Sequence, residues 1–246
     1  MNGLRGALGL ARSLAIYYGR PWRQRRLVRF YGGLLAPGDL AFDIGAHVGN
    51  RTRALHAAGA RVVALEPQAP FAGFLRRTLP AGVTLIEAAA GAQAGAAELA
   101  VSRLHPTVSS LAGLPGRLEG EPGFAHVRWD ARQRVAVTTL DALIAAHGLP
   151  AFVKIDVEGF EAEVLAGLSR PVPMVALEYL PQMPGAAQAA VRRLTRLGRY
   201  RFNVVRGEGL RFHWSDWRGA EAACDWLAAQ RPADGSGDLY ARFDAA

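Results

Sequence analysis

The sequence predicts a doubly wound α/β fold. Three observations lead to it. From Pro37 onward, short apolar strands alternate with helices, the order that builds a mostly parallel sheet covered on both faces. The first of these strands ends on Asp43 and Gly45 and opens directly into a helix. The 246 residues, half of them hydrophobic, suffice for one domain with a substantial core, or one domain and a small appendage.

Taken in order, residues 3–18 carry Leu4, Leu8, Ala11, Ala15 and Tyr18 at helical spacing. Pro21 suits the first turn of a second helix, with Leu27, Phe30, Tyr31 and Leu34 on its apolar face. Pro37-Gly38 is a turn. Residues 40–45 read as a strand, 50–58 as a helix, 61–66 as a second strand, 71–79 as a helix and 83–87 as a third strand. Residues 151–156 form a later strand, backed by a helix through Glu161, Val164 and Leu165. Residues 172–179 make another strand, 186–197 an amphipathic helix, and 200–205 and 238–243 closing strands. Between the third strand and Ala151 the chain makes a long excursion. Residues 95–102 and 134–138 look like added strand segments, and 103–133 is rich in Pro and Gly. A stretch that long exceeds an ordinary connection and reads as an insertion, a lid over a cleft. The organisation expected is a basic helical extension over 1–36 and a main domain over 37–246.

The net charge of +8 is unevenly placed. Seven arginines and no acid precede Asp39; from there on, 21 Arg and one Lys face 21 acidic residues, a balance of +1. A core that grips nucleic acid would carry basic clusters of its own, so no nucleic-acid partner is expected. The basic helices either pack on the domain with their arginines solvated or touch an anionic membrane surface peripherally. Arg12 interrupts the only candidate signal-peptide core, and the apolar runs fall far short of the ~18 residues of a membrane span. The single cysteine, Cys224, can make no internal disulfide; it reads as a packed small side chain of an intracellular, cytoplasmic protein.

The informative constellation is Asp43-x-Gly45-x-x-x-Gly49, followed by Glu66 at the end of the second strand. Open α/β sheets bind ligands at these carboxyl ends. Gly45 removes a side chain so that backbone can approach and turn; Gly49 lets the following helix pack close to the strand. The helix start offers free N–H groups to a carboxylate. Glu66 can accept hydrogen bonds from both hydroxyls of a ribose. The dinucleotide fingerprint would have glycine where Asp43 stands. A carboxylate there repels a pyrophosphate but suits a cationic amino group. S-adenosylmethionine (SAM) has that group, a sulfonium and no phosphate.

At this point the sequence resembles the FkbM family of SAM-dependent methyltransferases. The resemblance rests on P-G-D-L-A-F-D-I-G-A-H-V-G-N (37–50), A-L-E-P (64–67), S-S-L (109–111), T-L-D (139–141) and V-K-I-D-V-E-G-F-E-A-E-V-L-A-G (153–167), and covers about 36–180. It implies the seven-stranded class I methyltransferase fold and O-methylation of sugars, polyketides or related natural products. By motif, Asp43, Gly45 and Gly49 would surround the methionine part of SAM, with Ala46 and His47 in the same loop. Glu66, with Pro67 beside it, would hold the ribose, and Asp156 would lie near the methyl group. Glu87-Ala88-Ala89-Ala90 departs from the Asn-x-Ala type expected after the third strand, so no adenine contact is assigned.

Lys154 is the only lysine in the chain, and strand geometry puts it on one face with Asp156. It is either a buried lysine satisfied by a carboxylate or, with Asp156, the group that orients or deprotonates an acceptor hydroxyl. His47 and His105 are the other candidate bases, and Glu178 ends a neighbouring strand. Asp156, Glu158 and Glu178 are of the oxygen-ligand type that Mg²⁺ prefers, but no spacing demands it and no metal is predicted. The expected activity is methylation of a hydroxyl on a small-molecule or glycan acceptor. The alternatives are a nucleic-acid or protein methyltransferase and a non-catalytic SAM-binding module.

Overall fold

The computed structural model describes residues 2–19, 21–102, 110–111 and 131–244. Two helices lead, α1 (Asn2–Tyr18) and α2 (Pro21–Gly32). Then follow β1 (Leu40–Ile44), α3 (Asn50–Ala57), β2 (Arg61–Leu65), α4 (Ala69–Thr78) and β3 (Thr84–Ile86). The excursion supplies β4 (Ala88–Ala90), β5 (Gly95–Val101), β6 (Ser110–Leu111) and β7 (Ala131–Thr138). The alternation resumes with α5 (Leu140–His147), β8 (Phe152–Ile155), α6 (Glu161–Ala166), β9 (Met174–Tyr179), α7 (Pro184–Leu197), β10 (Tyr200–Arg206), α8 (Ala220–Ala228) and β11 (Gly237–Phe243).

The main sheet has seven strands in the order β10-β11-β9-β8-β1-β2-β3. β11 runs antiparallel to both neighbours, and the remaining pairings are parallel. This is the mostly parallel, seven-stranded sheet the sequence predicts. β1 is an interior strand, with β2 on one side and β8 on the other, so the strand order reverses there. Such a reversal leaves a crevice beyond the carboxyl ends of the strands.

All five residues of β1 are buried, as a central parallel strand requires. Leu40, Phe42 and Ile44 join Val63, Leu65, Val164 and Val191 in the larger core. Ala41, on the other face, joins a cluster in which Leu27, Tyr31 and Leu35 pack with Leu55, Phe152 and Tyr240. Tyr31 is wholly buried, its ring centroid 5.7 Å from that of Phe152. The inner face of α2 thus closes one side of the sheet, and burying a side chain of that size contributes about 1.5–3 kcal/mol.

The excursion holds the two added strands the sequence predicts, as β5 and β7. Its strands form a second sheet, β4-β7-β5-β6. β7 begins at Ala131, three residues before the expected strand, because Ala-Arg-Gln reads as polar loop yet pairs antiparallel with β5 over Leu99 to Val101. The expected third strand is β3, which closes the main sheet; after Glu87 the chain crosses into β4, a strand the sequence reading did not foresee. Helices α5 and α8 are short and were not legible from periodicity; Thr139 caps α5 by accepting from Ala142 N at 3.1 Å. Apart from Ser110–Leu111 and the first residues of β7, the span 103–133 lies outside the described residues, as does His105.

Candidate functional site

The loop from β1 to α3 is fixed by backbone geometry. Gly45 has φ +88°, and a Cβ there would stand 2.0 Å from the carbonyl oxygen of Asp156. Its N–H and that of Ala46 both donate to Leu65 O, at 3.0 and 2.8 Å. The glycine is therefore demanded by the close crossing of two strand ends. His47 is also at positive φ, +51°, and its N–H donates to Glu66 Oε2 at 2.7 Å. Gly49, the residue before α3, has φ +77°. A Cβ on it would meet Leu75 Cδ2 at 2.7 Å, so its space serves α4 and not, as expected, packing on the strand.

Glu66 stands one residue beyond β2 and is 2% exposed. One carboxylate oxygen accepts from His47 N and the other from Gln68 N at 2.8 Å. Burial pushes this acid up to about 7, against the pull of those two N–H groups. A carboxylate so placed is short of donors. Pro67 is tied in from the second sheet: its carbonyl accepts from Gln133 Nε2 at 2.7 Å, and Gln133 Oε1 accepts from Ala69 N.

Asp43 is buried on β1 and accepts a short hydrogen bond from Thr52 Oγ1. Burial raises its pKa, opposed by Thr52 and Lys154. Lys154, its register partner on β8, is wholly buried. The ammonium lies 3.2 Å from Asp156 Oδ2 and 3.1 Å from Asp238 Oδ1. Arg51 of α3 reaches the same Asp238 at 3.3 Å. Burial alone would lower the lysine's pKa, but Asp156 and Asp238 outweigh it and raise it, which favours the charged ammonium.

Asp156 joins Glu158 and Glu178 in a cluster in which one carboxylate oxygen from each lies within 4.8 Å of the others. Glu158 is held at φ +55°, and Glu178 Oε2 is buried without a hydrogen bond. Three carboxylates this close cannot all ionise cheaply. Burial and the charge on Asp156 push Glu158 and Glu178 well up. Burial pushes Asp156 up too, but Lys154 and Arg51 outweigh it and hold Asp156 low. The cluster therefore carries its charge on Asp156. The spacing is one that a hard divalent cation could bridge.

These groups face one cavity at the carboxyl ends of β1, β2, β8 and β9. Asp43, Gly45, Ala46, His47, Glu66, Pro67 and Asp156 line it. Gly49 and Lys154 stand behind its wall. His47, a candidate base from sequence, is half-buried. Its ring packs between Phe71 and Tyr17, at 4.4 and 5.4 Å, and burial lowers its pKa to about 4, so it is neutral. Sequence reasoning missed Tyr17, Arg51, Glu208 and Asp238, all on the lining. Ala88, Ala89, Ala90, Leu99 and Phe160 make its apolar wall.

Among the described residues the lining holds seven carboxyl groups, Asp43, Glu66, Asp156, Glu158, Glu178, Glu208 and Asp238, against one guanidinium, Arg51. A dinucleotide's phosphates would be repelled here, whereas a sulfonium and an ammonium would be attracted. The buried, donor-poor Glu66 fits a ribose diol. The residues present thus fit SAM.

The model of one protein family, the methyltransferase FkbM domain, matches residues 43–229, ending well past the 36–180 carried by the motifs. No curated protein matches the chain. Similar solved structures include a TehB-like SAM-dependent methyltransferase from Corynebacterium glutamicum, at 9% identity over 94% of this chain and 99% of that one, with a TM-score of 0.48. Another is precorrin-6y C5,15-methyltransferase from Geobacter metallireducens, at 15% identity over 88% and 87%, TM-score 0.45. A third is an O-methyltransferase from Bacillus cereus in complex with SAH, at 16% identity over 96% and 90%, TM-score 0.45.

Proposed function

The chain belongs to the FkbM family of SAM-dependent methyltransferases, and from that premise we propose that its acceptor atom is a hydroxyl oxygen on a sugar, glycan or natural product. The observation that carries this reading is the carboxylate cluster beside the cavity, with its charge held on Asp156 by Lys154. When bound, SAM supplies an already activated methyl group on its sulfonium. The protein has then to hold the acceptor oxygen in line and accept one proton.

In this reading Glu66 accepts the two ribose hydroxyls, and Asp43 faces the ammonium through the loop of Gly45, Ala46 and His47. Gly49 sets the start of α3, and Pro67 closes the ribose side. Asp156 accepts a hydrogen bond from the acceptor hydroxyl and takes its proton. A hydroxyl becomes strongly acidic as its oxygen gains a methyl group, so a carboxylate of depressed pKa is base enough. Lys154 touches neither reactant; it is a positioning residue that keeps Asp156 ionised and aimed. The division into a helical extension, 1–36, and a methyltransferase domain, 37–246, belongs to the same proposal, with His105, which lies outside the described residues, as the reserve base.

Incubating the protein with SAM and separate pools of hydroxylated and amine acceptors tests the reading. One added methyl mass on an alcohol is the expected result. Methylation of amines alone would overturn the hydroxyl acceptor, and methylation of neither would favour a SAM-binding module. A nucleic-acid acceptor is disfavoured because its phosphates would meet the ionised Asp156 in an acid-rich lining.

A further inference from the structure

The outward face of the two leading helices carries a pattern that neither core nor cavity uses. Positions 22, 25, 26 and 29 fall on one side of α2, and Trp22, Arg25, Arg26 and Arg29 are all exposed there. The opposite side, through Leu27 and Tyr31, is buried. On α1 the exposed stripe is Arg12, Ala15 and Ile16. Its neighbours Tyr17 and Tyr18 turn inward, to the cavity and to the carbonyl of Val48. Trp22 at 59% and Ile16 at 49% are two of the three exposed large hydrophobic residues among those described; the third, Leu149, lies far along the chain. No acidic residue precedes Asp39.

We propose that this face seats the protein on an anionic phospholipid surface. Trp22 and Ile16 enter the interface, and Arg25 and Arg29 meet the headgroup phosphates, while Arg26 donates to Gly209 O at 3.0 Å. Tryptophan is favoured at that depth because its ring is apolar and its N–H stays hydrated. An amphipathic helix with arginines beside an exposed aromatic is the pattern of in-plane binding. No helix of the described residues is long and apolar enough to cross a membrane, so the contact is peripheral. Each arginine near an anionic surface raises affinity about fivefold. Nucleic acid fits the same charge less well: an exposed aliphatic side chain such as Ile16 gains nothing from phosphates, and the body beyond Asp39 is nearly neutral. Because Ile16 adjoins Tyr17, docking would bring a wall of the cavity next to the lipid.

Flotation of the full chain with vesicles tests this, comparing phosphatidylcholine alone with a mixture holding roughly 30% phosphatidylglycerol. Binding to the anionic vesicles at low salt, release at high salt and little binding to the neutral ones are expected. Arg25→Gln with Arg29→Gln should weaken binding about 25-fold, the product of two fivefold steps. Trp22→Ala should abolish the quenching of tryptophan fluorescence by brominated lipid. Both variants should keep wild-type circular dichroism and SAM binding, since neither site reaches the cavity. Equal binding to both vesicle types, or variants that float like the wild type, would overturn the proposal. So would salt-sensitive binding to single-stranded RNA without vesicle binding, which would give the face to nucleic acid.

Discussion

Lys154 Nζ lies 3.1 Å from Asp238 Oδ1 and 3.2 Å from Asp156 Oδ2, on a side chain with no exposed surface. Lys154→Met keeps the volume and removes the charge, leaving the buried Asp238 and the half-buried Asp156 with Arg51 as their nearest cation among the described residues. Breaking such a network costs about 3–5 kcal/mol, read as a lower urea midpoint. The same change removes the main force holding Asp156 low, so the acid limb of kcat/KM should move to higher pH. A loss of stability with an unmoved limb would make Lys154 scaffold only.

Glu66 should give stability and cofactor affinity opposite pH dependences. Burial raises it from 4.5 to about 7, so it binds more protons folded than unfolded. Its contribution to stability is full below 4.5 and lost as pH rises through 7. Glu161, also raised by burial to about 7, has the same sign. Glu66→Gln should remove one share of that fall, on the order of 3 kcal/mol. SAM affinity should instead rise over this window as the carboxylate ionises to meet the ribose. Calorimetry from acid to mildly alkaline pH checks both; a Glu66→Gln protein binding SAM like the wild type would remove the ribose assignment.

The elements around β1 were legible because their residue types leave few alternatives. Asp43, Gly45 and Glu66 at successive strand ends specify a turn, a close approach and a carboxylate, all local features. The partner set of Lys154 was not legible. Whether burial or a carboxylate wins depends on Asp238, which joins through strand β11 eighty-four residues later, and on Arg51 from α3. Tyr17 was assigned to an outlying helix whose docking no local pattern encodes. Ala131 to Gln133 hid their strand because an edge of a partly exposed sheet needs no apolar alternation.

Two glycines in one loop should respond differently to alanine. At Gly45 the added carbon meets a backbone carbonyl at 2.0 Å, which cannot retreat without parting β1 from β8. At Gly49 it meets the end of Leu75, a side chain able to turn. Gly49→Ala should cost about 1–2 kcal/mol, mainly for its positive φ. Gly45→Ala should cost more than the ~3 kcal/mol reached by common substitutions and abolish SAM binding. Equal urea midpoints for the two would contradict this geometry.

The last prediction separates the acid that touches the acceptor from the acids that surround it. Asp156 carries the charge of its cluster, and Glu158 and Glu178 are pushed up toward their protonated forms. Asp156→Asn keeps shape and hydrogen-bonding reach but cannot accept a proton. It should lower kcat by ~10²–10⁴, the usual worth of a general base, and leave SAM affinity within a few-fold. Glu178→Gln replaces a group already close to neutral, so it should cost far less. It also removes a neighbour whose ionisation Asp156 opposes, so any effect should appear mainly at high pH, where Glu178 would otherwise lose its proton. The two rates, measured across pH with SAM saturating, decide the assignment. A large loss in Glu178→Gln with a small one in Asp156→Asn would move the proton acceptor from the end of β8 to the end of β9.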